Sequence, residues 1–191
     1  MHRPSWRAIV VLIMTGSTLT ACGGHEEPTA PRSPATVEQG LVTLVSCPLG
    51  TAVIQYSPPL KNTPQDVTNT GSFTLSGCDA LFSGVSSGTI GLNLFRPGYS
   101  CHELLTSGTS DSVITWNTLE TSTLTLTRVG TRVEGLSVLY THLGSVVSGK
   151  FAGATAIRTT TYLSADLDAC SSPEGLAQLS GTATLTLLGL P

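Results

Sequence analysis

From Leu41 onward apolar residues recur at alternate positions, and helical spacing of them is nearly absent. A period of two, carried by Val, Ile, Leu and Thr, marks strands with one covered face and one wet face. Strands are read at 41–47, 51–56, 72–77, 88–95, 112–117, 122–129, 132–142, 145–162 (with an internal break) and 181–188. Segments 57–71 and 96–111, rich in Gly, Pro, Ser and Asn, read as long connections. One short helix is expected at 173–179, with Ser172 as N-cap and Pro173 at the first helical position. The expectation is an all-β domain: an antiparallel β-barrel or β-sandwich of about eight or nine strands, with at most one short helix. No internal repeat is regular enough for a propeller or solenoid.

The clearest alternation, STLTLTRVGTRVEGL from Ser122 to Leu136, runs into charged residues. A three-residue loop Val129-Gly130-Thr131 would set Arg128 against Arg132, Leu126 against Glu134 and Leu124 against Leu136. Leu124, Leu126, Leu136, Val138 and Tyr140 then share the core face, and the next turn brings Val147 and Phe151 onto it. On this register Arg128, Arg132 and Glu134 extend the core face where leucines stop, so that end must be wet. In a sandwich it is a rim; in a barrel it is a mouth where a small amphiphilic or anionic ligand enters. His142 shares the parity of Tyr140 and faces the same way.

The first 21 residues stand outside this pattern. Arg3 and Arg7 precede an apolar run at 8–14, followed by small residues, which is the layout of a secretory signal. The run is too short for a transmembrane helix, which needs about 20 apolar residues. Its ending, Leu19-Thr20-Ala21-Cys22, resembles the lipobox of bacterial lipoproteins at all four positions. That resemblance implies cleavage before Cys22, diacylglycerol on its thiol and acylation of the new amino terminus. It also implies a cell-envelope location. Gly23 and Gly24 carry no acidic residue beside the cysteine, which favours the outer membrane or cell surface over the inner membrane. Residues 22–40, with three prolines and no apolar period, read as a flexible tether, and 41–191 as a single β domain.

Composition narrows the function. Charged residues make up only 11% of the chain, and removal of the leader leaves seven basic against twelve acidic side chains. That balance argues against a nucleic-acid partner. Beyond Cys22 there remain Cys47, Cys78, Cys101 and Cys170, an even number in a chain bound for an oxidising space. They contain no CxxC and no paired histidines, so two disulfides are expected and no metal site. Three pairings are open; Cys47–Cys78 with Cys101–Cys170 is preferred because each ties a loop to a neighbouring strand.

Chemistry-bearing motifs are sparse. Gly84-Val85-Ser86-Ser87-Gly88 matches the G-x-S-x-G nucleophile elbow, and a serine hydrolase using Ser86 is the alternative function. The elbow needs a strand-to-helix turn, whereas this segment leads into a strand. His102 and Glu103 are adjacent, and adjacent side chains on an extended chain diverge. Asp166-Leu167-Asp168 starts like a calcium loop, but Cys170 occupies the next ligand position and the glycine is missing. Trp116, the one tryptophan beyond the leader, reads as a core anchor. The expectation is therefore an envelope lipoprotein without catalytic residues or cofactor, whose β domain binds a ligand or another envelope protein or serves structurally.

Overall fold

The computed structural model describes residues 40–106 and 108–190. Cys22, the leader and the tether lie outside the described residues. Ten strands follow in order: β1 (Val42–Cys47), β2 (Leu49–Leu60), β3 (Gln65–Ser76), β4 (Asp79–Ala80), β5 (Gly88–Tyr99), β6 (Thr109–Trp116), β7 (Thr121–Glu134), β8 (Ser137–Gly149), β9 (Thr155–Leu163) and β10 (Leu176–Gly189). Short 3-10 turns occupy Cys101–Leu104 and Ser164–Ser171. Eight strands form an antiparallel barrel in the order β2-β3-β5-β6-β7-β8-β9-β10, and β10 closes it by pairing with β2. The first part of β10 pairs β2 (Leu179↔Ile54), its last part pairs β1 (Leu185↔Cys47), and β4 adds to the edge of β1. The expected barrel is thus the one formed.

Several expected boundaries need correction. The 57–71 connection is mostly strand: β2 continues to Leu60 and β3 begins at Gln65. Pro58 and Pro59 follow Ser57, the last β2 residue paired to β3, so they remove no donor from that ladder. The 96–111 connection is shortened in the same way by β5 and β6. The helix expected at 173–179 does not form there. Helical turns instead occupy Ser164–Ser171, and Leu176 already belongs to β10, where it pairs with Leu60.

The hairpin of β7 and β8 turns later than expected. Its ladder runs on to Val133↔Val138 and Glu134↔Ser137, with Gly135 (φ 58°) and Leu136 making a two-residue connection. Gly130 stays in the strand, and Val129 is the extra residue of a bulge between Arg128↔His142 and Gly130↔Thr141. A second bulge on β8 turns Val146 into the core and leaves Val147 exposed. Arg128 therefore faces His142, not Arg132; Leu124 faces Val146, and Leu136 is 80% exposed. Phe151 reaches the core from the turn after β8, edge-on to Trp116 at 5.8 Å.

One end of the barrel is filled by Trp116, Val85, Leu75, Val146 and Leu124, all buried. Trp116 donates from Nε1 to Ser122 Oγ at 2.8 Å. The two disulfides join Cys47 to Cys78 and Cys101 to Cys170, the preferred pairing. Around the outside, Thr161, Thr182, Thr51, Thr74, Thr89, Thr115 and Thr121 stand opposite one another from strand to strand. Facing threonines suit a pleated surface, at about 0.2–1 kcal/mol per pair. They let the outer wall face water with very few charges.

Candidate ligand-binding site

Toward the other end the inner face stops being apolar. The register places Arg128, His142 and Arg158 side by side on β7, β8 and β9. Alternation on the same strands turns Tyr140, Thr160 and Tyr162 inward. Tyr56 and Asn69 face each other on β2 and β3, and Arg96 ends the inner row of β5. Apolar walls of Ile54, Phe73, Ile90, Leu92, Leu94 and Leu179 complete a cavity of about 110 Å³. One water needs roughly 10–15 Å³ on this measure, so the space fits a small organic group.

Charge in this cavity is mostly positive: the one acidic residue lining it, Asp111, is exposed and accepts from Thr125 Oγ1 at 2.7 Å. Arg158 is 6% exposed and no acidic side chain is buried among the described residues. The ion pairs found among them are Arg132–Glu134 and Lys150–Glu120, both away from the cavity. The Arg158 guanidinium lies over the Phe73 ring, 4.7 Å from its centroid. Burial lowers its pKa to about 10, which still leaves it charged at neutral pH. Arg128 lies 4.5 Å from the centre of Tyr140 and donates to the carbonyls of Glu103, Leu104 and Thr106, which fastens the Cys101–Leu104 turn over this end.

His142 is held neutral. Burial, then the positive charges of Arg158 and Arg128, drop its pKa from 6.5 to about 3. Burial raises the pKa of Tyr56, Tyr99, Tyr140 and Tyr162, the last to about 12, so these phenols keep their protons. Among the described residues, seven buried side-chain polar atoms have no protein partner: Nε of Arg96, Arg128 and Arg158, His142 Nδ1, Tyr140 OH, Ser112 Oγ and Asn69 Oδ1. All seven belong to residues lining this one cavity. Buried polar groups are normally satisfied, so their concentration marks where a polar ligand or water belongs. Donors predominate, which suits an acceptor-rich group such as a carboxylate.

Of the residues expected from sequence to form a mouth, only Arg128 faces the cavity. Arg132 and Glu134 pair with each other at 2.7 Å on the exposed part of the hairpin. The bulge at Val129 and the later turn carry them past the barrel wall. His142 does face inward, as its parity required. Arg158 and Arg96 were missed: Arg96 fell in a supposed loop, and Arg158 in a segment without an assigned register. The signal for Arg158 was the alternation Ala156, Arg158, Thr160, Tyr162, a lone charge on an otherwise core-like face.

Other motif residues lie elsewhere. Ser86 is exposed in the loop before β5, and its N–H donates to Asn117 Oδ1 at 2.8 Å. Glu103 accepts from the N–H of Ser100 at 2.7 Å and from its hydroxyl, capping the turn, while His102 is exposed. Asp166 and Asp168 belong to the second 3-10 turn. No protein-family model matches the chain, and neither the curated proteins nor the solved structures contain a match to it. The fold and cavity define a closed antiparallel β-barrel with a cationic, tyrosine-lined interior.

Proposed function

We propose that the chain is a lipid-anchored protein of the bacterial envelope whose barrel binds a small amphiphilic anion without catalysing a reaction on it. The observation that carries this reading is Arg158, a buried guanidinium with an unpartnered Nε and no ion-pair partner among the described residues. A lone buried charge is costly, and a ligand carboxylate on Arg158, near the Tyr140 hydroxyl, would offset that cost. The apolar wall opposite supplies the other half of an amphiphile's needs. Lipid attachment at Cys22 is supported by the Leu19-Thr20-Ala21-Cys22 motif, and no cofactor enters this reading.

Calorimetric titration of the lipoprotein in nanodiscs with benzoate and with neutral benzyl alcohol tests the proposal. Benzoate should bind and benzyl alcohol should bind at least about tenfold more weakly. Arg158→Gln, folded by circular dichroism, should lose most of the benzoate affinity. Equal binding by the two proteins, or no binding by the parent, would refute the reading.

A further inference from the structure

We infer that the barrel is loaded from its side, through the seam between β5 and β6, and that its ligand is a single-chain aliphatic carboxylate. The head lies at Arg158 and the chain lies in the seam. This rests on the anion-binding reading above and adds the route and the ligand class.

The seam is a partial opening of the wall. β5 and β6 pair only at Gly88↔Trp116, Thr89↔Thr115 and Ile90↔Ile114. Continuing that register would set Leu92 against Ser112 and Leu94 against Ser110, yet no ladder joins them. Each strand stays with its other neighbour: Arg96 still pairs with Val67 of β3, and Ser112 with Leu124 of β7. The two strands therefore part above Ile90 and Ile114, and side chains from both lips line the cavity. Beside it lies an outer chamber of about 340 Å³, lined by Arg96, Tyr99 and Ser110 at the top of the seam and by Glu103, Arg128 and His142 beneath the turn.

One end of the barrel is filled by Trp116 and its neighbours. The other is covered by the Cys101–Leu104 turn, which Arg128 grips through three carbonyls and the Cys101–Cys170 disulfide ties down. Leu104 from that turn is 5% exposed and lines the cavity.

The chemistry of the lips selects the ligand. Leu92 and Leu94 are half-buried on the inner side, while Phe95 and Val113 are 64% and 48% exposed on the outer side. An alkyl chain leaving the cavity would cover this apolar strip. The inner cavity, at about 110 Å³, has room for a head group and a few carbons, so a longer chain must continue into the seam. Arg158 is the buried guanidinium and takes the carboxylate, Arg96 and Arg128 are half-buried nearer the outer chamber, and His142, being neutral, adds no further charge.

Photolabelling in proteoliposomes with dodecanoic acid bearing a terminal diazirine tests the route. Peptide mapping should place the label on residues 92–95 or 110–113. The methyl ester of the probe should label at least about tenfold less, and so should Arg158→Gln with the free acid. Label at Trp116, Phe151 or the Cys101–Leu104 turn, or label insensitive to the head group, would overturn the inference. If benzoate binding depends on Arg158 but the dodecanoate probe leaves the seam unlabelled, the lateral route fails while the anion site stands. Absence of benzoate binding removes both.

Discussion

Arg158 sets ligand recognition against stability. Its charge is stripped of water by β8, β9, β10 and the Phe73 ring, and no carboxylate pairs with it among the described residues. Replacement by an apolar side chain of similar length removes that desolvation penalty. Arg158→Met should therefore raise the stability of the ligand-free barrel by about 1–4 kcal/mol in urea denaturation, while abolishing benzoate binding. A destabilised Arg158→Met would mean that the guanidinium is satisfied within the protein. His142 gives a second handle. Its folded pKa of about 3 lies below the ordinary 6.5, so between those values the unfolded chain takes up a proton that the barrel refuses. This contribution makes stability fall as pH drops from about 6.5 toward 3, by at most about 1.4 kcal/mol per unit. Urea midpoints between about pH 7 and 4 should show this slope, and His142→Gln should flatten it. A bound anion, by stabilising imidazolium, should also make the slope shallower.

At the scale of elements, the β7–β8 hairpin decides which charges enter the barrel. The bulge at Val129 leaves Arg128 inside and sends Arg132 and Glu134 into water, where their ion pair contributes little. Lower in the same ladder the strands approach too closely for any side chain at Gly144. A Cβ there would lie 1.9 Å from the carbonyl oxygen of Thr125. Gly144→Ala should cost about 1–3 kcal/mol or more in urea denaturation. Gly91→Ala, whose Cβ meets nothing within 4 Å, should stay within about 1 kcal/mol of the parent. Equal effects at the two positions would contradict the close approach at Gly144.

For the whole molecule, the proposed anchor and cavity are separable. Cys22→Ser should abolish incorporation of labelled palmitate and leave an unprocessed precursor on gels. Palmitate retained by this variant would exclude lipid attachment at Cys22. Closure of the barrel explains how so lightly charged a chain stays folded and wet: leucines fill the inside, and threonine rows meet water on every side. The closure also gives the cationic row its effect, because the paired strands on either side of Arg158 shut its guanidinium away from bulk water.

Much of the wall was legible from local alternation alone. Leu124, Leu126, Val138, Tyr140 and Trp116 are core residues because a pleated strand turns every second side chain the same way, whatever it pairs with. The all-β class and the readiness of four cysteines to pair are likewise properties of short stretches and composition. Which arginines face inward was not legible in that way. A single extra residue, Val129 in β7 or Val147 in β8, reverses the parity of everything beyond it, and partner strands decide where such a bulge sits. The isolation of Arg158 is more distant still from sequence: it depends on strands far apart along the chain, β3 with Phe73 and β10 with Leu185, being wrapped around it so that no acid pairs with it among the described residues. Alternation is local chemistry and was written in the chain; register, closure and the absence of a counter-ion are relations between distant strands, which only the tertiary structure could decide.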